Sequence, residues 1–338
     1  MTIKDVAEYS GVSVSTVSRV LNNRPDVSGA VRSRVMDAVH TLHYVPNNSA
    51  RDLVKRPQND AIGVVVRGAE NPFFTPVIRA VEHSAECAGY SMVLHQIKAG
   101  EDELLAGAAL VRSKRLAGLI LLGGCYDYSP EEVAPLEVPF VCCTYTNRFG
   151  SLNRGEYSSV SIDDQAEAYR AVRCLTRRGH RRIAVLLDSV EDHSISQLRY
   201  RGYRQALEEA GLPLDMSLVA ETVDFDMAAA YRRTRALLES GTEFTAVFAI
   251  ADSMAIAAMK ALHDAGRQVP EDCSVIAIDG IEMSQYTVPT LTTLIQPQEA
   301  LGAQAVEILV NILENHGECR HLRVETALRP GGTVADCP

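Results

Sequence analysis

The 338-residue sequence contains no tryptophan, and aromatic residues make up only 6% of it. No apolar stretch is long enough to span a bilayer: the longest, such as Leu116 to Gly124, fall far short of the roughly 20 residues required. The opening residues Met1-Thr2-Ile3-Lys4-Asp5 show no basic segment running into an apolar one. No secretory signal is read, and a cytosolic protein with no membrane partner is expected. Eight cysteines are present but none forms a C-x-x-C pair, which excludes a zinc knuckle or a thioredoxin-like motif. Adjacent Cys142 and Cys143 inside an apolar run predict reduced core residues, with a redox sensor as the alternative. The strings G-x-x-x-x-G-K-[ST], G-x-G-x-x-G, H-E-x-x-H and G-x-S-x-G are all missing, so phosphate cradle, dinucleotide site, zinc site and nucleophile elbow are not expected. The nine histidines do not cluster at ligand spacing, and His180, in the turn Gly179-His180-Arg181, reads as a helix-end residue rather than a base. No catalytic residue, metal or cofactor is therefore expected, and the chain does not read as an enzyme.

What is present is enough chain, 46% of it hydrophobic, for two or three domains. The net charge of −10 is unevenly placed. Residues 1–56 hold eight Lys and Arg against five acids, a net of +3, which leaves −13 for the remainder. A basic head on an acidic body combines phosphate attraction at one end with solubility elsewhere.

Three short helices are predicted in that head. Thr2 is placed to cap the first, whose apolar face is Ile3, Val6 and Ala7. Gly11-Val12-Ser13 breaks it, and Ser13 is placed to cap a second helix, Val14 to Asn22, packed through Val17, Val20 and Leu21. Its other face carries Ser15, Thr16, Ser18 and Arg19. Ser28 is placed to cap a third helix with the apolar stripe Val31, Val35, Ala38, Val39 and Leu42. Two helices joined by a tight glycine turn, the second presenting small polar residues and one Arg, form a helix-turn-helix. Small residues let such a helix sink into the major groove, where Arg can bridge both acceptors of a guanine edge. Arg56-Pro57-Gln58-Asn59 is a polar linker, and the domain boundary is placed there.

From Ala61 the texture changes to apolar runs alternating with amphipathic helices. Strands are predicted at 61–66, 91–94, 117–122 and 139–143, and again at 183–187, 246–250 and 274–278. Continuous apolar strands separated by helices imply parallel sheets covered on both faces. Two such series predict two doubly wound lobes with ligand in the crevice at the strands' carboxyl ends.

The run TIKDVAEYSGVSVSTVSRVLNNRPDVS, followed by LHYVPNNSARDL, resembles the head of the LacI/GalR family of bacterial repressors. The strings NPFF (71–74), RGHRRIAVL (178–186), RYRGYRQALEEAG (199–211), FTAVFAIADSMA (244–255), VPEDCSVIAIDG (269–280), PTLTT (289–293) and IQP (295–297) extend the resemblance over nearly the whole chain. The look is closer to the galactose-repressor branch than to the purine branch, particularly at 193–196 and 251–255. The resemblance implies that Val14, Ser15 and Arg19 read bases, with Thr2, Thr16, Ser18 and Asn22 completing the DNA-contacting set of the head. It implies a hinge helix over Asn47 to Leu53, in which Asn47, Ala50, Arg51 and Leu53 meet the minor groove and Leu53 is the wedge between base pairs. Asp52 departs from that pattern, because an acid facing phosphates is unfavourable. The implied organisation is a head over 1–46, a hinge and linker over 47–60, and a periplasmic-binding-protein-like body over 61–338. The body divides into lobe 1 at about 61–160 plus 291–320, and lobe 2 at about 161–290 plus 321–338.

For the crevice, the resemblance implies effector contacts from Asp163, Arg199 and Asp279. Phe73, Phe74, Tyr145 and Phe225 are candidates to cover a ring, and His193, Ser196 and Asp252 are further polar contacts. Carboxylates accept from sugar hydroxyls while an Arg fork donates to the same ring. Plainer roles stand beside these: Asp279 capping a helix, Arg199 pairing with a neighbouring acid, Phe74 or Phe225 simply packing, Asp163 half of a solvated pair with Asp164. Ala251 stands where family members commonly carry Asn, and Gly280 where Asp or Asn is usual. The expected function is a homodimeric regulator, a repressor by resemblance, on a pseudo-palindromic operator, with a sugar or glycoside as effector. A nucleobase-type corepressor is the alternative within regulators; a sugar-binding or enzymatic body with a head that does not bind DNA is the rival outside them. Thr333 to Pro338 carry no leucine heptads, so no tetramerising tail is expected.

Overall fold

The structure, a computed structural model, describes residues 1–21, 27–44, 60–68, 70–98, 100–191, 193–222 and 226–337. The chain forms two compact units, Met1–Gln58 and Asn59–Pro338. The expected contacts at Asn22, Asn47, Ala50, Arg51, Leu53 and Phe225, with Asp52 and almost all of the hinge and linker, lie outside the described residues.

In the first unit, α1 (Ile3–Ser10) is capped by Thr2 through a capping box with Asp5, and it ends on Gly11 at φ 66, a conformation that costs glycine little. The second helix, α2 (Val14–Leu21), starts where Ser13 Oγ accepts the Thr16 amide at 3.2 Å. The third, α3 (Gly29–Thr41), has Ser28 at its N-cap position, but that hydroxyl makes no capping bond. Val6, Val17, Val20, Val35 and Ala38 close a small core. It leaves α2 with one apolar face inward and the other face outward.

The second unit holds two six-stranded sheets. Its elements run β1 (Ala61–Arg67), α4 (Phe74–Cys87), β2 (Ser91–Ile97), α5 (Glu103–Lys114), β3 (Gly118–Leu122), α6 (Pro130–Val133), β4 (Phe140–Cys143) and β5 (Ser158–Ser161). After the first crossing come α7 (Asp164–Thr176), β6 (Ile183–Leu187), α8 (Ile195–Glu209), β7 (Val219–Glu221), α9 (Met227–Glu239), β8 (Ala246–Ala249), α10 (Asp252–Asp264), β9 (Ser274–Asp279) and β10 (Thr292–Ile295). The last elements are α11 (Gln298–Asn315), β11 (His321–Arg323) and β12 (Ala327–Arg329). The first sheet has strand order β11-β5-β4-β3-β1-β2 and the second β12-β10-β9-β8-β6-β7. The recorded pairings are parallel except β10 with β12, which is antiparallel. A sheet covered on both faces requires apolar residues at successive positions, and β1, β3, β4 and β6 show that burial.

Two expected lobe boundaries are corrected. The second crossing lies after Ile295, not near Thr290, because β10 pairs in register with β9 and Leu294 is buried in the second lobe's core. The third lies after Arg323, not at Arg320, because β11 pairs with β5 of the first sheet. Neither strand exceeds four residues, so its hydrophobic pattern alone does not say which sheet it joins. The chain end is part of the second lobe: Val275 N–H donates to Thr333 O at 2.7 Å and Cys337 N–H to Arg178 O at 2.8 Å. His180 is buried beneath this tail, with Nδ1 2.9 Å from Thr245 Oγ1 and Nε2 3.1 Å from Ala335 O. Cys142 and Cys143 are fully buried in β4, and burial pushes the Cys142 thiol up to about 12 and that of Cys143 higher still. The reactive thiolate is thereby suppressed, as a core role requires.

Candidate DNA-reading face and effector cradle

On the head, Val14 is 40% exposed, Ser15 and Arg19 are exposed, and Thr16 and Ser18 are half-buried on the same helix. Val17 and Val20 face the core. Thr2 is exposed at the start of α1, its side chain engaged in the cap. The periodicity of 3.6 residues forces this segregation: the residues that cannot be buried share one face, and it is small, polar and cationic.

In the body, Arg199 lies on α8 and is 1% exposed. A guanidinium at that depth requires anions and acceptors around it. Asp164 Oδ1 accepts from Nε at 3.0 Å, Asp279 Oδ1 lies 3.5 Å from Nη1, and Nη1 also donates to the Ile250 carbonyl at the end of β8. Nη2 sits 3.0 Å from the same Asp164 oxygen but makes no aligned hydrogen bond. Asp279 closes β9 with φ 137, a conformation rare for any residue with a side chain. It is held there by the second crossing: Gln296 donates through its amide side chain to Oδ1 at 2.8 Å, and Gln298 Nε2 donates to the Asp279 carbonyl at 3.3 Å. The next residue, Gly280, has φ 75, and a Cβ there would lie 2.8 Å from the Ile295 Cα. Burial raises the carboxyl of Asp164 to about 6 against the opposing pull of Arg199. Burial likewise raises Asp279, opposed by Arg199 and reinforced by the charge of Asp252.

The first lobe faces this cradle with tyrosines. Tyr126, 3% exposed, packs against Tyr145 with ring centroids 5.3 Å apart, in one cluster with Leu198, the neighbour of Arg199 in the chain. Tyr145 is buried, its hydroxyl 2.8 Å from that of Tyr128, which in turn donates to Glu103 at the start of α5. Cys125 N–H donates to the same Glu103 carboxylate at 2.6 Å, and Arg67 Nε stands 3.7 Å from it. From the second lobe, Ile195 and Leu198 on the first turn of α8 pack into this apolar and tyrosine-lined cluster.

Of the expected contacts, the structure brings Arg199 and Asp279 together and sets Tyr145 in the facing wall. Several others are engaged within the protein. Asp163 caps α7 by accepting from Ala166 N–H at 3.2 Å, and its Oδ2 pairs with Arg323 at 2.7 Å; the acid in the cradle is Asp164. Ser196 Oγ accepts the amides of Asp188 and Ser189 at 3.0 Å each, anchoring a strand-end loop. Asp252 is fully buried, accepting from Ile281 N–H at 3.0 Å and from the Thr293 hydroxyl. Phe73 and Phe74 pack edge to face, centroids 5.6 Å apart, within the first lobe's core. His193 lies outside the cradle, Nδ1 3.2 Å from Asp127 Oδ2. Sequence reasoning missed Tyr126, Tyr128, Glu103, Gln296 and Gln298. The sequence signal for the tyrosines was their place just after the apolar run Leu119 to Leu122, at a strand's carboxyl end. Among the described residues no group of three or more His, Cys, Asp or Glu is arranged to hold a metal ion. No helix among them is long and apolar enough to cross a membrane.

Known proteins share this fold. Residues 2–47 match the family described as bacterial regulatory proteins, lacI family, and residues 172–334 match a periplasmic binding protein-like domain. The chain is 37% identical over 332 residues to the HTH-type transcriptional regulator MalR of Clostridium butyricum, covering 97% of each. It is similar to the solved transcriptional regulator CelR–cellobiose complex, at 29% identity and a TM-score of 0.73, covering 99% of this chain and 100% of that one. It is also similar to the Lac repressor dimer bound to operator and the anti-inducer ONPF, at 26% identity and a TM-score of 0.73, covering 99% of each. None of these three is a galactose repressor, and the likeness is to the family as a whole. With helix-turn-helix head, two-lobed body and a relative of this identity along the whole chain, the protein belongs to the lacI family of bacterial regulatory proteins and is a DNA-binding transcriptional regulator.

Proposed function

We propose that the protein is an operator-binding repressor whose DNA affinity is set by a neutral sugar or glycoside enclosed between the two lobes at Arg199, Asp164 and Asp279. The observation that supports this best is the cradle. A buried guanidinium flanked by two carboxylates retains one nitrogen without an aligned hydrogen bond, and tyrosines face it from the other lobe. Hydroxyls that donate to a carboxylate and accept from a guanidinium complete such a set. The similar CelR structure contains cellobiose, a ligand of that chemistry. The DNA face is α2, with Val14, Ser15 and Arg19 reading bases and Thr2, Thr16 and Ser18 supporting them. The chain acts as a homodimer on a pseudo-palindrome, as two-fold protein symmetry requires two-fold half-sites; the similar Lac repressor is a dimer on its operator.

The test is a fluorescence-anisotropy titration against a family-like palindromic duplex, repeated with neutral sugars including cellobiose and with nucleobases. Specific binding released by one sugar is the expected result. Tightening by a nucleobase, with no sugar effect, overturns the effector reading. In the same assay R19A should lose about 1–3 kcal/mol of base discrimination per lost bidentate contact; unchanged operator preference would remove Arg19 from the reading face.

A further inference from the structure

Outside the cradle, two first-lobe loops are sewn into one platform. The amides of Phe149 and Gly150 both donate to the Tyr126 carbonyl, at 2.7 and 3.1 Å, and Ser151 N–H donates to Tyr128 O at 3.0 Å. The side chain of Asn147 brackets the Tyr128 backbone, accepting from its N–H at 2.7 Å and donating to its carbonyl at 3.0 Å. Gly150 sits in the seam, where a Cβ would lie 2.3 Å from Tyr128 O. This platform carries Asp127 and Phe149 to the second lobe.

The second lobe meets them with His193 and Arg201. The His193 ring stacks on Phe149 at 22° with centroids 5.1 Å apart, and its Nδ1 is 3.2 Å from Asp127 Oδ2. The Arg201 guanidinium lies 4.8 Å from the centroid of the Phe149 ring. His193 adopts φ 49, an uncommon left-handed turn that presents the ring just ahead of α8. Arg201 is two residues past Arg199, so both clasping groups belong to the segment that carries the cradle's cation. Leu198, on the same turns, is buried in the first lobe's cluster. The clasp therefore adds to the Leu198 packing in holding the N-terminal part of α8 against the first lobe.

We propose that Phe149, clasped by His193 and Arg201, is an inter-lobe latch that sets the closure equilibrium of the body without touching the effector. It is a positioning residue: an effector that needs the closed form binds with an apparent affinity proportional to the closed fraction. That consequence for affinity rests on the proposed effector site, whereas the latch itself does not.

The absence of tryptophan makes the latch directly observable, since F149W places a sole indole in the clasp. In F149W, acrylamide quenching should be weak. Adding H193A and R201A should raise the quenching constant by about threefold, the scale of lost cation–π and stacking contacts, with the far-ultraviolet circular dichroism unchanged. Independently, R201A in the otherwise native full-length chain should speed amide exchange by about 3–10-fold on both sides of the cleft, at 124–130 and 195–203. Exchange at 118–122 and 246–249 should not change. Quenching that is equal with and without His193 and Arg201 overturns the latch. So does faster exchange confined to 146–151, which would make the clasp a local loop staple. Neither measurement needs an effector, so a failed sugar panel would count against the proposed function alone.

Discussion

Arg199 shows what a single buried charge commits a protein to. Its guanidinium is compensated by Asp164, Asp279 and the Ile250 carbonyl, so removing it strands two buried acids. R199A should abolish the effector response and lower body stability by about 3–5 kcal/mol, the usual loss when one partner of a buried pair is deleted. Operator binding by the head should survive, and an R199A protein that still responds at wild-type effector concentration would show that the cradle is elsewhere. The same acids make stability depend on pH. Asp164 has its carboxyl raised from 3.8 to about 6, and Asp252 and Asp279 are raised in the same direction, chiefly by burial. A raised acid holds its proton in the folded state over a range in which the unfolded chain has lost it. Its stabilising contribution is therefore complete below pH about 4 and lost as pH rises through about 6. Melting of the body, followed calorimetrically, should show this downward component between about pH 4 and 7, and D279N should flatten it. An unchanged slope in D279N would mean that Asp279 does not share in the titration.

At the level of elements, a tight constraint is the contact between α7 and α8. Gly202 faces α7 so closely that a Cβ would lie 2.2 Å from the Gln165 carbonyl oxygen and 2.8 Å from the Tyr169 nitrogen. Backbone cannot rotate away as a side chain can, so G202A should cost about 1–3 kcal/mol in urea denaturation, in the range of overpacked cores. It should also perturb Arg199, one turn earlier on the same helix. Gly29, at the start of α3, meets nothing within 4 Å, and G29A should leave stability unchanged or raise it by less than about 1 kcal/mol. Equal stability of the two variants would mean that α7 and α8 yield more readily than their backbone contact implies.

For the molecule as a whole, the proposed regulation is a coupling between α2 in one unit and the Arg199 cradle in the other. If sugar weakens operator binding by some factor, operator must weaken sugar binding by the same factor. Isothermal titration of sugar with and without the duplex should match the ratio from anisotropy with and without sugar. Unequal ratios would point to a linked third process, such as a change in dimerisation. The +3 head on a −13 body should also give operator affinity a steep, linear dependence on the logarithm of salt concentration.

Local pattern alone determined much of this protein. The caps at Thr2 and Ser13, the apolar stripes of α1 to α3, and the largely apolar strands at 61–66, 183–187 and 274–278 were legible because each rests on neighbours within one or two turns or along one strand. Arg199 and Asp279 were singled out only by the family resemblance: the same helix also carries Arg201 and Arg204, and local pattern does not choose among them. Tertiary structure decided which sheet the short strands β10 and β11 join, since four residues or fewer do not identify their partners. It also gave Asp163 and Asp164 different partners. Adjacent in sequence, one turns outward to cap α7 and pair with Arg323, while the next turns inward to Arg199. Ser196 and Asp252 were drawn into internal hydrogen bonds for the same reason. A polar residue near a crevice faces ligand or protein according to which donors the fold brings within 3 Å, and those donors come from distant parts of the chain.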